Sequence, residues 1–389
     1  MVLHQVNTCF TFHRRRLIEG HSGGAVQIAD AMYKYLIKDQ ANPPGVIRFG
    51  NRVTSIAYSG LNYPIVGATG HQAIVPPPSR HQVVVGTEDG QQFKFSNVIS
   101  TIPLPVLRTL DLSRAGLSYL QSNALRELDY GSAIKVGMQF ATAWWTTGKT
   151  QTGEPLNIVG GQSFTDRPIR TIVYPSFGDS KQGQATTLIA SYARAEDATR
   201  LGALIEKDPK RLEKLVLKEL AEIHNVDLNF LQSQLIASFP WNWDNDIDTM
   251  GMLYVLSSLQ ASLIDGELGA FAFFLAGKFE DLYHSLNYPA GNGFIQFAGE
   301  ALSTRHAWIE GALDSAWRAV ASLLLMNPQW ADRMQRFHDN WGTNEEWVTK
   351  ASEPTPGEPG EPIPSPAIFD KDRSLLYRHI AANSKHWQL

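Results

Sequence analysis

The segment Phe294–Ala316 reads FIQFAGEALSTRHAWIEGALDSA and holds the clearest structural pattern in the chain. Its first four residues predict a buried strand, and Ala298-Gly299 predicts a tight turn directly after it. A long helix follows from near Ala307, with small residues at positions 311, 312, 315 and 316. Small residues let a second backbone or a flat ligand approach the helix. The helix start offers unpaired N–H groups and a positive dipole end, which suit an anionic ligand atom.

Helices and short strands alternate on the N-terminal side of this segment. A helix is predicted over residues 25–36 because Ala25, Ile28, Ala29, Met32 and Leu36 share one face. Further helices are predicted at 117–128 and 209–223. Strands are predicted at 46–49, 52–58, 82–85, 93–95, 98–102, 134–140, 171–174 and 187–192. Helices interleaved with mixed strands indicate an α/β or α+β fold.

The composition is that of a globular protein and excludes several classes. The chain has 389 residues, a net charge of −4 and one cysteine, Cys9. A length of this order buries a sizeable core, and a single cysteine allows no internal disulfide and no cysteine-based metal site. The charge balance offers no basic surface for nucleic acid. No uninterrupted apolar stretch reaches the ~18 residues of a membrane span, and no signal peptide is recognised. We therefore expect a soluble protein of unspecified compartment, without nucleic acid or membrane partners.

One short motif resembles a catalytic one. Gly20-His21-Ser22-Gly23-Gly24 matches the G-x-S-x-G nucleophile elbow of serine hydrolases, in which a strained strand-to-helix turn exposes the serine. The elbow needs a strand directly before it, and residues 12–16 are a poor candidate for one. A glycine-rich turn before the first helix, with Ser22 near the N-cap, is the favoured interpretation. A serine hydrolase acting through Ser22 stays a weak alternative.

Two other polar patterns do not predict a metal site. The run Asp244-Asn245-Asp246-Ile247-Asp248 begins like a calcium loop, but Thr249 and Val255 occupy the places that need glycine and glutamate. A polar turn is predicted there instead. The histidines are scattered without ligand spacing, so no metal ligand is predicted. The tryptophan pairs Trp144-Trp145 and Trp241-Asn242-Trp243 line either a pocket or a core, and core packing is favoured.

Residues 294–316 resemble the C-terminal flavin-binding motif of flavin-dependent amine oxidases and L-amino acid oxidases. The shared pattern is an apolar strand, Ala298-Gly299-Glu300-Ala301, a short loop, an aromatic residue at Trp308, an acidic residue, Gly311-Ala312 and a small residue. Three weaker matches stand in the order of that family, at residues 52–56, 98–103 and 130–136. The resemblance covers residues 19 to about 325.

The resemblance implies FAD as cofactor and assigns roles to individual residues. Gly299 and Glu300 would bind the ribityl or pyrophosphate part of FAD. Backbone N–H groups of Trp308 and Ile309 would stabilise negative charge on the reduced flavin. The same resemblance places Val53 against adenine, Lys135 beside a water near flavin N5, and the Trp308 ring beside the substrate amine.

The resemblance also implies a domain division. We expect an FAD-binding, Rossmann-like domain at 1–110 and 290–330, a mixed α+β substrate-binding domain at 111–289, and a proline-rich linker and tail at 350–389. The family binds the FAD pyrophosphate with a G-x-G-x-x-G turn, and this sequence contains none. The FAD domain is therefore expected to be incomplete at its N-terminus.

A second departure lies between Gly251 and Ala270. Joining these two residues restores the family's Gly-Ala-Phe-Ala pattern, and residues 252–269 interrupt it. We hypothesise that 252–269 are an untranslated segment carried into the sequence. Sequencing the transcript tests this hypothesis, and a spliced message that contains these codons would remove it.

The function that the resemblance implies is oxidation of an L-amino acid or a primary amine. The products would be an imine or keto acid, ammonia and hydrogen peroxide, with O₂ as the second substrate. Trp308 favours amino acids over amines, because amine oxidases more often carry tyrosine there. A homodimer is common in the resembled family. The alternative is a non-catalytic fragment of that family that binds no flavin.

Overall fold

The computed structural model describes residues 26–38, 47–61, 82–175, 186–246, 269–327, 330–344 and 346–347. Three features singled out in the sequence lie outside these ranges: Ser22, the proline-rich tail, and all but the last residue of 252–269. Among the described helices, none combines the length and apolar character needed to cross a bilayer. Within the same ranges no group of three or more His, Cys, Asp or Glu is placed to hold a metal ion.

Helices and strands alternate along the described chain. The helices are α1 (Val26–Lys38), α2 (Leu104–Leu107), α3 (Tyr119–Glu127), α4 (Trp144–Thr147), α5 (Ala195–Lys207), α6 (Pro209–His224), α7 (Leu228–Gln234), α8 (His284–Leu286), α9 (Ile309–Met326) and α10 (Ala331–Trp341). The strands are β1 (Val53–Tyr58), β2 (Val83–Thr87), β3 (Gln92–Phe95), β4 (Val98–Ser100), β5 (Tyr130–Gly131), β6 (Ala133–Phe140), β7 (Gln162–Phe164), β8 (Thr171–Val173), β9 (Thr186–Arg194), β10 (Leu235–Asn242), β11 (Phe271–Ala272) and β12 (Ile295–Phe297). Short 3₁₀ turns cover Ser59–Leu61, Trp243–Asn245, Gly291–Gly293 and Glu300–Leu302, and a π-helical turn at Phe279–Tyr283 leads into α8.

The predicted elements are confirmed, with one exception. The strand predicted at 46–49 is wrong where the structure describes it, because residues 47–49 form a bend and irregular backbone. Its apolar residues Val46, Ile47 and Phe49 mimic a strand locally. Phe49 is 77% exposed, so the run lacks the buried face that stabilises a strand.

The described chain forms two compact units. The first comprises residues 26–38, 47–48, 131–175, 186–246 and 269–270, and the second comprises 49–61, 82–130, 271–327, 330–344 and 346–347. Residues 111–130 and 271–289 thus belong to the same unit as the segment 294–316. Which domain binds the cofactor and which binds the substrate stays a prediction.

The first unit is built on a five-stranded antiparallel sheet in the order β10-β6-β9-β8-β7. Alternate residues of β6, from Ile134 to Phe140, are fully buried and pack against α5 and α6. Helix α6 begins at Pro209. The preceding residue, Asp208, is its N-cap, and the Asp208 side chain accepts a bond from the Arg211 N–H. The core packing favoured for Trp144 and Trp145 is confirmed, since both are 1% exposed and meet edge to face.

The second unit contains the strand and helix of the segment 294–316. Strands β1, β2 and β3 form an antiparallel meander, and β4 and β12 form a separate parallel pair. Its core gathers side chains from the meander, α2, α3 and the β12 region, with Leu107, Leu286 and Ile295 completely buried. Helix α9 follows β12 through a loop, and this strand–loop–helix arrangement forms the candidate site.

Candidate cofactor site

The turn after β12 is held by the neighbouring parallel strand. Ile295 lies opposite Val98 and Phe297 lies opposite Ser100, and the N–H of Ala298 donates to the Ser100 carbonyl at 2.8 Å. Strand β4 belongs to the predicted segment 98–103, so the structure brings together two segments that the sequence could only match separately. The carboxyl ends of both strands thus lie at the same edge, where ligands bind in α/β folds.

Gly299 joins the strand to the helix. Its N–H donates to the Ser315 hydroxyl oxygen at 2.8 Å, and that hydroxyl donates to the Ala312 carbonyl at 2.8 Å. A Cβ placed on Gly299 would have no atom within 4 Å, so the backbone here borders open space. A ligand can therefore reach the peptide backbone of this turn.

The Glu300 side chain is turned toward its own chain. Its two oxygens accept bonds from the N–H groups of Ala272 at 3.0 Å and Ala307 at 2.8 Å. Burial raises the pKa of Glu300, while these two N–H donors act against that rise. The pKa of buried Tyr130 is raised well above its usual value by burial, and the nearby Glu300 carboxylate adds to the rise. Glu300 thus shapes the loop between residues 300 and 307.

That loop ends in a residue with left-handed backbone. Ala307 has φ = 65°, a conformation that costs free energy for a residue with a Cβ. The bond from its N–H to Glu300 offsets part of this cost. Trp308 follows in extended backbone as the N-cap of α9, and its side chain is 45% exposed.

The start of α9 has no side-chain cap. The Trp308 side chain accepts no bond from the first-turn N–H groups, which include that of Ile309. Gly311 brings the helix close to the loop, since a Cβ there would overlap the carbonyl oxygen of Arg305. An uncapped helix start carries a positive dipole end and is a common anion-binding element. The predicted close approach of a second backbone at Gly311 and Ser315 is confirmed.

Val53 opens strand β1 of the meander. It lies opposite Thr87, and a register irregularity follows between Val53 and Ser55. The side chain is half-buried against the core of the second unit. Its contact with adenine stays a prediction.

Lys135 belongs to the first unit, on the face of β6 opposite the buried core. It lies between Tyr192 on β9 and Trp241 on β10 in register. Its Nζ stands 4.8 Å from the Tyr192 ring centre and 5.3 Å from that of Trp243. Burial, with a smaller contribution from the positive charge of Arg194, lowers the pKa of Lys135 to about 8. Its role beside a flavin stays a prediction.

Sequence reasoning did not identify three residues that shape the site. Ser315 stands out in the sequence only as a small residue, and Tyr130 only as part of a longer match. Glu346, which accepts bonds from Ser303 and Thr304, does not stand out at all. No local pattern marks the contacts of Tyr130 with Glu300 or of Glu346 with Ser303, because the partners lie far apart in the sequence.

Comparison with known proteins identifies the family of the chain. A family model described as flavin containing amine oxidoreductase matches residues 4–324. L-amino-acid oxidase 4 of Hebeloma cylindrosporum is 46% identical over 308 residues, which are 78% of this chain and 44% of that protein. The flavin-dependent L-tryptophan oxidase of Lentzea aerocolonigenes is 28% identical over 66% of this chain and 48% of its own length. The chain thus spans less than half the length of both relatives.

Among solved structures, a variant of putrescine oxidase superposes with a TM-score of 0.54 over 78% of this chain and 53% of its own. The sequence identity in that alignment is 14%, so the likeness concerns the fold alone. It supports the predicted α/β fold of the amine oxidase type. With the family match extending over most of its length, the chain belongs to the flavin-containing amine oxidoreductases, whose cofactor is FAD.

Proposed function

We propose that this protein oxidises L-amino acids with FAD, releasing hydrogen peroxide, ammonia and a keto acid. In this reaction the amino acid loses two electrons and becomes an imine, water hydrolyses the imine, and O₂ takes the electrons to form peroxide. The names of the two relatives, an L-amino-acid oxidase and an L-tryptophan oxidase, support an amino acid over an amine. Primary amines are the alternative substrates, and a fragment that binds no flavin is the alternative function.

The observation that carries the proposal is the uncapped start of α9 beside the open backbone of Gly299. These features fit FAD, because a flavin ring and its phosphates need N–H donors at close range and no side chain in between. We assign the backbone of Gly299, Trp308 and Ile309 to the flavin, and Val53 to the adenine. FAD when bound supplies a two-electron acceptor that O₂ can reoxidise.

The chain's own side chains have positioning roles in this proposal. The Glu300 carboxylate holds the Ala307 amide and so fixes the loop that leads to α9. We assign Glu300 to the cofactor through this loop, and the exposed Trp308 ring to the wall beside the substrate amine. We assign Lys135 to a water near flavin N5, as the resemblance implies. The proposal also includes an FAD-binding domain at 1–110 and 290–330 and a substrate-binding domain at 111–289. It further includes a homodimer.

The first experiment is a visible absorption spectrum of the purified chain before FAD, with FAD, and after desalting. A flavin spectrum that survives desalting is the expected result. The protein is then supplied with single L-amino acids and, separately, with primary amines, and peroxide is measured. Peroxide from amines alone would overturn the choice of L-amino acids. A colourless protein after desalting would favour the fragment that binds no flavin.

A matched pair of variants tests the site. Gly299→Leu fills the open space beside the turn and is expected to abolish FAD retention. Gly90→Leu is the control, since Gly90 lies in the turn between β2 and β3, also has a positive φ, and would likewise present an added Cβ with no atom within 4 Å. Equal FAD retention by both variants would contradict the assignment of Gly299.

A further inference from the structure

A short segment after α10 lies along helix α9. We call it the strap and define it by Gly342, Asn344, Glu346 and Trp347. The Trp317 ring N–H donates to the Gly342 carbonyl at 3.2 Å, and the Asn344 amide donates to the Asp314 carbonyl at 3.0 Å. Trp347 is 5% exposed and packs against the fully buried Ala321. The strap is therefore seated on the same helix whose start forms the candidate site.

Glu346 reaches from the strap to the loop before α9. Its Oε2 accepts a bond from the Ser303 hydroxyl at 2.8 Å, and its Oε1 accepts one from the Thr304 N–H at 3.1 Å. Oε1 also accepts a bond from the Tyr283 hydroxyl. The Ser303 oxygen in turn accepts the Arg305 N–H at 3.1 Å. One carboxylate thus holds three consecutive loop residues, directly or through Ser303.

The loop that Glu346 holds contacts the start of the helix. The Arg305 carbonyl lies against Gly311 so closely that no Cβ fits between them. The Arg305 guanidinium also bridges to Asp314 at 2.7 Å and to Glu310 at 3.6 Å. A change in the position of residues 303–305 must therefore shift the first turn of α9 or break this contact.

A buried cation links the strap to the strand side of the turn. Arg318 on α9 is completely buried and donates to the carbonyls of Asn287 and Phe297, the latter being the last residue of β12. Its guanidinium lies 5.9 Å from the Trp347 ring centre. Burial lowers the pKa of Arg318 to about 10, and the negative charge of Glu346 acts against that fall. Glu346 thus also offsets part of the cost of burying this cation.

We propose that Glu346 is a positioning residue for the cofactor site: the strap holds residues 303–305 and so directs the N–H groups at the start of α9. The inference rests on the proposed binding of FAD at that helix start. The strap lies beyond residues 4–324, the part that matches the family model.

The test measures the FAD dissociation constant and the hydrogen exchange of the Thr304 and Arg305 amides in the full chain. Glu346→Ala is expected to weaken FAD binding about tenfold, a loss of about 1.4 kcal/mol, and to speed exchange of both amides. Glu346→Gln keeps one acceptor oxygen and is expected to restore part of both properties. The control Tyr283→Phe removes the hydroxyl that bonds to Glu346 and contacts the Asn287 side chain, but it leaves both bonds from Glu346 to the loop. Its FAD dissociation constant is expected to stay within about twofold.

Several outcomes would overturn the inference. One is that Glu346→Ala leaves FAD binding and amide exchange unchanged. Another is that Glu346→Ala and Tyr283→Phe weaken FAD binding equally. Should Glu346→Ala fail to fold, Ser303→Ala removes one of the two loop donors to Glu346 together with the acceptor of the Arg305 N–H, and it changes no residue of the strap. Normal FAD binding and Arg305 exchange in that variant would then overturn the inference. A wild type that retains no FAD would refute the proposed function instead, and the strap's hold on the loop would be judged on amide exchange alone.

Discussion

The N–H of Gly299 donates to the Oγ of Ser315 at 2.8 Å, which ties the turn after β12 to the second turn of α9. Ser315 is completely buried, so few groups other than this hydroxyl can satisfy the Gly299 donor from the helix side. The bond explains why a small polar residue occupies a helix position that faces the turn. It also fixes the distance between the strand end and the helix start, where we place the cofactor.

Ser315→Ala is expected to lower the free energy of unfolding by about 1–2 kcal/mol, because it leaves the Gly299 N–H without its acceptor. Urea unfolding measures this change. Ser285→Ala is the control, since Ser285 is also buried but its hydroxyl only donates to the Leu282 carbonyl one turn back. We expect FAD binding to weaken in Ser315→Ala and to stay normal in Ser285→Ala. Equal effects on FAD would show that the bond to Gly299 has no special part in the site.

Gly311→Ala is expected to destabilise the second unit by about 1–3 kcal/mol, despite the better helix propensity of alanine, because the added Cβ overlaps the Arg305 carbonyl. Thermal or urea unfolding followed by circular dichroism measures the loss. At Gly137 a Cβ would meet its nearest atoms at 3.8 and 3.9 Å, an ordinary contact distance. Gly137→Ala therefore serves as the control and should change stability little. A neutral Gly311→Ala would mean that the loop does not lie against the helix.

Stability of the first unit is expected to fall in acid through His224. The Nε2 of this buried ring lies 2.6 Å from the Tyr174 hydroxyl, and its Nδ1 lies 2.8 Å from the Leu220 carbonyl. Burial lowers the pKa of His224 below its usual 6.5. The unfolded chain therefore binds a proton at this residue before the folded chain does. The stabilisation that neutral His224 gives to the folded state is complete above about pH 6.5. It is lost as the pH falls toward the pKa of His224 in the folded chain, by at most about 1.4 kcal/mol per pH unit.

Urea midpoints at pH 7.5 and 5.5, compared between wild type and His224→Gln, measure this dependence. Glutamine cannot take up a proton, so the variant should be less stable at pH 7.5 but lose less on acidification. Tyr174→Phe is the companion variant, because it removes the hydroxyl and keeps the histidine. An identical acid loss in wild type and His224→Gln would assign the effect to other groups.

Lys135 is expected to react with amine-modifying reagents at lower pH than an ordinary lysine, because its pKa is about 8 and the neutral amine is the reactive form. Modification at pH 7 to 10, followed by mass spectrometry, gives the midpoint of its reactivity. The exposed Lys214 on α6 is the internal reference. Arg194→Met removes the nearby positive charge and should move the midpoint upward, although less than half of the way, since burial is the larger cause. No difference between Lys135 and Lys214 would contradict the lowered pKa.

Local patterns in the sequence predicted just over half of the described helices and strands, and elements such as α5, α10 and β10 were not predicted. The strand, turn and helix of 294–316, the alternating strand β6 and the amphipathic helix α6 each carry their periodicity within a few residues. The same periodicity misled at 47–49, where the described residues form a bend and irregular backbone. A strand needs a neighbour and a buried face, and neither is visible in four residues.

Part of the candidate site could likewise be predicted from the sequence, and part could not. The residues at 299, 300, 308 and 309 could be singled out because they sit in one contiguous motif. Their partners Ala272 and Glu346 could not, because these residues reach the motif from distant parts of the chain. Ser315 lies within the motif, but the sequence marks it only as a small residue. The pKa values of Glu300 and Lys135 likewise depend on burial and on charges contributed by other elements.

From the amino-acid order alone, the family, the α/β fold, the buried tryptophan pair and the strand, turn and helix of residues 294–316 were all predictable. They follow from periodicity, turn residues and a contiguous motif, which act over one or two turns of backbone. The folded chain was needed to reveal the parallel pairing of β4 with β12, the inward turn of Glu300 and the link from Glu346 to the loop. Each of these joins residues far apart in sequence, and such contacts are set by how whole elements pack rather than by local preference.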